Sequence, residues 1–357
     1  MGSFDADVVY DSQRVTLPLV VVKGNGPMLL GRNWLKAIKL NWSDIYCVRA
    51  PGLQDVLNKY PEVFQSGLGT FNGPEVSLVV DADAPPRFCK ARPLPYAMRD
   101  AVSDELERLV KEGTLEPVDY VEWAAPIVAV LKSDRKTVRI CGDFRMTINP
   151  VSKLNRYPLP KVEDLFSNLA KGKIFSKLDL TRAYQQLKLD EQSQKYVVIN
   201  THKGLCRYTR LPFGVSSAPG IFQKVMEMML KGIPGVCVYL DDILISSPTE
   251  AEHLQSLAEV LKRLSEAGLR AKKHKCSFMV PTVEFLGHIV NAEGIRPLSE
   301  KIRAVQNALA PTNVTELKAY LGLISYYGKF LSNLSTHLAP QYRLLNKDVP
   351  WQWLPEQ

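Results

Sequence analysis

The chain has 357 residues, 46% of them hydrophobic, a content typical of globular proteins, and a length that predicts two or three domains. Lysine and arginine number 45 against 37 aspartate and glutamate, and the resulting charge of +8 permits a polyanionic partner without requiring one. Six scattered cysteines without a C-x-x-C pair argue against a zinc site or disulfide framework, and no apolar run reaches the ~18–20 residues of a membrane span.

The N-terminal part is rich in β-forming residues over positions 15–48. VTLPLVVVKG predicts a strand, KGNGP predicts a turn, and MLLGRNWL continues this β-rich region. Residues 49–95 contain many prolines, which predicts a linker that approaches the next domain in an extended conformation.

The following region, residues 96–296, alternates helical and strand patterns. We expect a helix near 98–112, a hairpin formed by PIVAVLK and TVRICGDF, a strand KIFSKLDL, a helix SAPGIFQKVMEMMLKG, a hairpin VCVYLDDILIS with the acidic pair at its bend, a helix near 250–267 and a strand VEFLGHIV. The remainder is predicted to be helical, with Asn313 and Glu316 as a helix cap. This mixture predicts an α+β sheet domain followed by a helical one.

Two adjacent carboxylates, Asp241 and Asp242, lie between apolar runs in VCVYLDDILIS. Ionised carboxylates among buried strand residues are costly, and two together repel each other. A polar hairpin turn is one interpretation, although two-residue turns favour Asn-Gly or Asp-Gly because φ must be positive. The other interpretation is a divalent cation, since Mg²⁺ prefers carboxylate oxygens.

A third carboxylate is expected if a metal compensates this charge, and Asp179 at the end of KIFSKLDL is the best candidate. If the two strands pair in one sheet, the three side chains converge. Three carboxylates can hold two metal ions ~4 Å apart, the arrangement that stabilises in-line displacement at phosphorus.

Four stretches carry a resemblance to a known family: FSKLDLTRAYQQLKL, RYTRLPFGVSSAPGIFQKVM, VCVYLDDILISS and VEFLGHIVNAEGI. In this order and spacing the chain resembles, over roughly residues 50–357, the reverse transcriptases of LTR retrotransposons, especially gypsy-type elements, and more distantly those of retroviruses. The resemblance implies a right-hand polymerase of fingers, palm and thumb. It also implies RNA-directed DNA polymerase activity with two Mg²⁺ ions (Mn²⁺ is also possible), an RNA template, a DNA primer/template duplex and dNTPs.

The resemblance also implies roles for individual residues. Asp179, Asp241 and Asp242 would be the catalytic metal ligands, and Leu180 would offer its backbone carbonyl. Tyr184 would lie beneath the sugar and exclude a 2′-hydroxyl, although taken alone it is more typical of a core aromatic.

Other residues would hold the substrates. Lys132 and Arg139 would grip the triphosphate, unless they belong to a solvated loop. The remaining nucleotide contacts would come from Phe213, Gly214, Tyr239 and Leu240, with a helix-start core position as the alternative for Phe213. The primer grip would comprise Phe285, Leu286, Gly287 and His288. The basic run RAKKHK, residues 270–275, is typical either of a template phosphate contact or of a solvated face.

The ends of the chain resemble parts of the neighbouring domains in such polyproteins. LLGRNWLKAIKLNW resembles the closing segment of a retropepsin-like protease, so residues 1–48 are interpreted as its short β-rich remnant. The catalytic loop of that fold has the sequence Asp-Thr/Ser-Gly. The similar stretch here, Asp11-Ser12-Gln13, has glutamine in place of the glycine, so no protease activity is expected. Residues 297–345 would form the thumb. Residues 346–357 would begin the connection or RNase H region, and no RNase H activity is expected.

Two other functions remain open from the sequence. A truncated or co-opted retroelement relic would bind nucleic acid without polymerising, and an aspartic protease fragment would cleave peptides. The polymerase reading places the protein in the cytoplasm, in a virus-like particle, or in the nucleus, neither secreted nor in a membrane. The oligomeric state is not predicted.

Overall fold

The computed structural model describes most of the chain, namely residues 2–10, 12–21, 23, 31–40, 52–132, 136–153, 157–169, 172–346 and 349–353. The chain divides into two compact units, Met1–Gly52 and Leu53–Gln357. No helix within the described ranges is long and apolar enough to cross a membrane.

The first unit contains an antiparallel strand pair and a short helix. Strand β1 (Gly2–Tyr10) pairs with β2 (Gln13–Val21) along its whole length. The strand predicted from VTLPLVVVKG is confirmed by β2, whereas β1 was not predicted. Helix α1 (Arg32–Ala37) replaces the β structure expected after MLLG, because RNWLKA combines good helix formers. Asp11 and most of the KGNGP turn lie outside the described residues.

The second unit is built from two sheets, a three-stranded hairpin region and many helices. Its helices are α2 (Leu53–Lys59), α3 (Tyr96–Lys111), α4 (Val162–Asn168), α5 (Glu191–Gln194), α6 (Ala218–Leu230), α7 (Glu250–Glu266), α8 (Ser299–Gln306), α9 (Val314–Tyr326), α10 (Leu334–His337) and α11 (Ala339–Arg343). Its strands are β3 (Leu115–Val118), β4 (Ala125–Leu131), β5 (Val138–Gly142), β6 (Ile174–Asp179), β7 (Val198–Thr201), β8 (Gly204–Tyr208), β9 (Val236–Tyr239), β10 (Asp242–Ser247), β11 (Ser277–Val280), β12 (Thr282–Phe285), β13 (His288–Asn291) and β14 (Gly294–Pro297).

The five-stranded sheet has the order β3-β8-β7-β4-β5. The predicted hairpin is confirmed by the antiparallel pairing of β4 with β5, in which Leu131 lies opposite Val138. Its β-branched residues alternate, so that Ile127, Val138 and Ile140 are buried while Arg139 is exposed.

The four-stranded sheet has the order β11-β6-β10-β9 and carries the acidic residues. Leu178, Ile243 and Ile245 in its central strands are fully buried. Helix α7 covers one face, because its apolar residues recur at helical spacing and bury Leu257 and Leu261. The predicted helix near 250–267 is confirmed, with Thr249 as its N-cap.

The predicted linker, residues 49–95, differs from the structure near its start. Helix α2 and a 3₁₀ turn over Pro61–Phe64 bury Val56, Leu57 and Val63 in the main core. Pro61 does not prevent the 3₁₀ turn from forming, because it occupies the first position of the turn, where no hydrogen-bonded N–H is needed.

The predicted single strand VEFLGHIV is wrong, because β12 and β13 form a tight hairpin there. Leu286 and Gly287 make the turn with φ of +48° and +75°, and Gly287 is the residue type that tolerates this conformation. In the helical region that follows, the predicted cap is confirmed: the Asn313 side chain accepts a hydrogen bond from the Glu316 amide at 2.9 Å.

Candidate active site

Strand pairing brings the first and third acidic residues together. Strands β6 and β10 are antiparallel neighbours, and Asp179 lies directly opposite Asp242. Residues paired in this way project to the same face of a sheet, with Cβ atoms ~5 Å apart. Both side chains are about a quarter exposed, so they are open to a ligand.

The bend of the β9–β10 hairpin holds only one of the two adjacent acids. Tyr239 pairs with Asp242, so the two-residue turn consists of Leu240 and Asp241, while Asp242 begins β10. The prediction that both acids lie at the bend is therefore wrong for Asp242. Leu240 has φ of +52°, a region that bulky side chains rarely adopt, so the turn is strained at this position.

A buried glutamine on α6 holds this strained turn. Gln223 donates from Nε2 to the Val238 carbonyl at 2.8 Å and accepts at Oε1 from the Leu240 amide at 2.7 Å. It also donates to Glu227 at 2.7 Å. One amide side chain thus satisfies two backbone groups of the hairpin and fixes the turn that carries Asp241.

Asp241 is the acid with the least compensation. Burial first, and then the nearby charges of Asp242 and Asp179, raise the pKa of Asp241 to about 6. Its Oδ1 atom is buried and lacks a hydrogen-bond partner within the part of the chain that the structure describes. Arg139 and Lys272 act in the opposite direction and lower the pKa of Asp241.

Two lysines approach the other two carboxylates. Lys177 Nζ lies 3.1 Å from Asp242 Oδ2, and Lys275 Nζ lies 3.9 Å from Asp179 Oδ2. The Lys272 amide also donates to the Asp179 backbone carbonyl at 2.9 Å. The basic run 270–275 is therefore held against the acidic end of β6 through the Lys272 backbone, while Lys273, His274 and Lys275 are exposed to solvent.

The chemistry of this donor set suits a hard cation. Within the described ranges, no group of three or more His, Cys, Asp or Glu side chains has ready-made metal-binding spacing. Carboxylate oxygens are nevertheless the ligands that Mg²⁺ and Mn²⁺ prefer. Three carboxylates are present, and one of them, Asp241, has a buried oxygen without a hydrogen-bond partner among the described residues. The three carboxylates fit such an ion if it replaces Lys177 at Asp242 and Lys275 at Asp179.

A cleft of about 870 Å³ opens beside the acids. Asp179 and Asp241 line it together with Lys132 and Arg139 from the β4–β5 hairpin. Lys132 and Arg139 are both exposed, as expected of side chains that reach for a ligand. Leu180, by contrast, is almost fully buried, so only its backbone is available there.

Tyr184 and Phe213 form an aromatic wall next to these acids. Their ring centroids are 5.0 Å apart, and Phe222 packs against Tyr184 at 5.3 Å. The Arg139 guanidinium lies 5.8 Å from the Phe213 ring centroid, within the range of a cation–π interaction. Tyr184 is 8% exposed, so it both packs in the core and presents one edge.

Gly214 follows this wall and is required by the close approach of two backbones. Its φ is +98°, and a Cβ atom there would lie 2.9 Å from the Gly142 carbonyl oxygen. The loop after Phe213 therefore lies directly against the end of β5.

The four residues predicted as a primer grip do not share one environment. Phe285 and His288 are buried, and the His288 ring packs 5.1 Å from that of Phe166. Only Leu286 and Gly287, in the turn, are partly exposed. Any contact with a primer is thus restricted to the turn.

The sequence reasoning missed residues that act through the backbone or through their partners. Gln223 and Lys177 were not singled out, nor was Gln186, which bonds to the Thr181 carbonyl and to both backbone groups of Arg270. Gln223 shares a helix face with Met226 and Leu230, and a polar residue on such an apolar face was the available signal.

Comparisons with known proteins agree with this geometry. Residues 130–290 match the family described as reverse transcriptase (RNA-dependent DNA polymerase). An uncharacterized protein of Caenorhabditis elegans is 39% identical over 325 residues, 88% of this chain and 26% of that protein. The retrovirus-related Pol polyprotein from transposon opus of Drosophila melanogaster is 31% identical over 360 residues, 95% of this chain and 35% of that protein. The chain thus spans about a quarter to a third of the length of these curated relatives.

Solved structures show the same fold. A foamy viral protease-reverse transcriptase in complex with dsDNA aligns with a TM-score of 0.75 and 26% identity, over 92% of this chain and 70% of that chain. A second such structure gives a TM-score of 0.76 at 23% identity, over 99% of this chain and 66% of that chain. The predicted α+β polymerase fold with a β-rich N-terminal region is confirmed. Residues 130–290 thus match the reverse transcriptase family, and over most of its length the chain is similar to retrotransposon Pol polyproteins.

Proposed function

We propose that this chain is the polymerase part of a gypsy-type retrotransposon Pol polyprotein and extends a DNA primer with dNTPs on an RNA or DNA template. The observation that carries the proposal is the register of β6 with β10, which sets Asp179 opposite Asp242 beside the buried Asp241. The complexes of the foamy viral relatives with dsDNA and with an RNA/DNA hybrid support the same classes of partner.

In the proposed reaction, the primer 3′-hydroxyl attacks the α-phosphorus of a dNTP and pyrophosphate leaves. Two Mg²⁺ ions, when bound, sharpen that hydroxyl as a nucleophile and neutralise the leaving group. Asp179, Asp241 and Asp242 would hold them, and the strained Leu240 turn fixes the direction of the Asp241 carboxylate. The Leu180 backbone carbonyl, next to the end of β6, would supply a further oxygen.

The cleft residues position the nucleotide. Arg139 and Lys132 line the same cleft as the acids and bind the triphosphate oxygens, Arg139 through paired N–H groups. Tyr184 and Phe213 close the sugar side, so that a 2′-hydroxyl has no room. Tyr239 and Leu240, at the turn that carries Asp241, contact the nucleotide, and the Leu286–Gly287 turn supports the primer terminus.

Primer extension with purified protein and Mg²⁺ tests the proposal. The wild-type chain should extend a DNA primer on an RNA template, and Asp179→Asn should lower the rate by about 10³-fold or more, because a carboxylate that would hold the charge-stabilising cations is lost. Asp164→Asn, an exposed acid on α4, is the matched control and should extend normally.

The outcome of the same assay separates the alternatives. Binding of the primer/template in a gel shift without any extension would identify a nucleic-acid-binding relic instead. Wild-type extension by Asp179→Asn would reject the assignment of the acids.

A further inference from the structure

One of the lysines beside the acids, Lys177, lies in the same strand as Asp179. Strand β6 pairs Lys177 with Leu244 and Asp179 with Asp242, so Lys177 and Asp242 are diagonal neighbours on one face. Diagonal Cα atoms are roughly 7–8 Å apart, a distance that a lysine side chain spans easily. The resulting contact, 3.1 Å from Nζ to Asp242 Oδ2, is thus dictated by the register of the two strands.

The contact is partly shielded from water. The Lys177 and Asp242 side chains are 24% and 25% exposed, whereas Lys275 is 52% exposed and lies 3.9 Å from Asp179, at the limit of an ion pair. Lys177 is therefore the closer and better shielded cation of the two. An ion pair in such a position is screened less by salt than one on an open surface.

The charges of the acidic group are unevenly compensated. Asp242 has Lys177 at hydrogen-bonding distance, whereas Asp241 has a buried oxygen without a partner within the described part of the chain. A divalent ion that binds Asp242 must share the carboxylate with Lys177 or displace it. Lys177 is thus placed to compete with the ion for the same oxygen.

We propose that Lys177 is a built-in counterion of Asp242, which stabilises the acidic group without metal and sets the divalent-ion concentration at which the site fills. This role rests on the proposed function, because it assumes that the three acids bind divalent ions. Lys177 is a positioning residue: it acts on the reaction through Asp242.

The test measures metal binding directly, with Mn²⁺ alone as the probe and electron paramagnetic resonance of free Mn²⁺ as the readout. Lys177→Met should bind Mn²⁺ about fivefold more tightly than wild type, the effect expected when a partly exposed ion pair no longer has to be broken. Lys177→Arg keeps the charge and should bind with wild-type affinity. Lys173→Met, which removes an exposed lysine just before the same strand, controls for the change in net charge.

Thermal unfolding supplies a second, independent readout. Without divalent ions, Lys177→Met should have a lower Tm than wild type, because Asp241 and Asp242 then repel each other without compensation. Mn²⁺ should raise its Tm by more than it raises that of wild type. A purely structural loss would lower the Tm with and without the ion alike.

The outcomes separate this inference from the function on which it rests. Unchanged or weaker Mn²⁺ binding by Lys177→Met, while Asp179→Asn abolishes binding to the wild-type site, overturns the counterion role alone. Equal Mn²⁺ binding by wild type and Asp179→Asn shows that the acids do not form the metal site. That result overturns both.

Discussion

Asp179 and Asp242 are cross-strand partners in the antiparallel pairing of β6 with β10. In the chain they are separated by the β7–β8 hairpin of the five-stranded sheet, by helix α6 and by strand β9. This register places both carboxylates on the same face of the sheet, because a slip by one residue would turn one of the two side chains to the opposite face. The apolar neighbours Leu178 and Ile243 are fully buried and hold the register.

Tyr184 is expected to select the sugar. Tyr184→Val should raise the kcat/KM ratio of rNTP to dNTP by roughly 10- to 100-fold, because removing the ring makes room for a 2′-hydroxyl. Steady-state incorporation of single nucleotides measures the ratio. Tyr184→Phe keeps the ring that packs on Phe213 and Phe222, and should keep the wild-type ratio. An unchanged ratio in a folded Tyr184→Val variant would place Tyr184 in the core only.

Arg139 is expected to bind the triphosphate. Arg139→Gln should raise the KM for dNTP by roughly 10- to 100-fold, since hydrogen bonds between charged groups are lost. The matched control is Arg207→Gln on β8 of the same sheet, where the arginine pairs with Glu116 at 2.7 Å. Equal KM values for both variants would assign Arg139 to the solvated face of the hairpin.

Gln223 is expected to hold the turn that carries Asp241. Gln223→Met is similar in size but leaves the buried Val238 carbonyl and the half-buried Leu240 amide without this partner, at a cost of about 1–3 kcal/mol for the buried carbonyl. Urea denaturation should show this loss in the free energy of unfolding. Primer extension should show a reduced kcat, because the Asp241 carboxylate is no longer fixed.

The control for this prediction is Gln255→Met, an exposed glutamine on α7. It makes the same change of side chain without freeing a buried backbone group. A Gln223→Met variant as stable and as active as this control would contradict the role of Gln223.

His253 should make the stability of the fold sensitive to mild acid. It is fully buried on α7, its Nε2 lies 2.6 Å from Ser176 Oγ, and burial lowers the pKa of His253 from 6.5 to about 4. Between pH 6.5 and 4 the unfolded state binds a proton at His253 that the folded state does not bind. The contribution of His253 to the free energy of unfolding is therefore fully present above pH 6.5 and is lost as the pH decreases towards 4.

Urea denaturation of wild type and His253→Gln between pH 7 and 4.5 measures this dependence. The wild-type free energy of unfolding should fall more steeply than that of the variant, which has no ring to protonate. Groups such as Asp241, whose pKa is raised, contribute equally to both proteins and cancel in the comparison. Parallel pH curves would show that His253 does not titrate in this window.

Local patterns were sufficient for most helices and strands near the site. The alternation of apolar residues predicted the β4–β5 and β9–β10 hairpins, and the leucine stripe predicted α7. They failed at VEFLGHIV, where a turn at Leu286 and Gly287 interrupts the strand pattern and a single glycine was its only local marker. They also failed for α2, which the many prolines of its region concealed.

The sequence by itself determined which residues carry charge into apolar strands: Asp179, Asp241 and Asp242 are costly wherever they are buried, so their positions alone indicate a compensated site. Only the tertiary structure decided how that compensation is distributed. Lys177 reaches Asp242 because of strand register, and Gln223 holds Leu240 in a left-handed conformation because α6 packs under the hairpin. Such contacts join residues far apart in the chain, and no local spacing encodes them because they depend on how the strands and helices pack together.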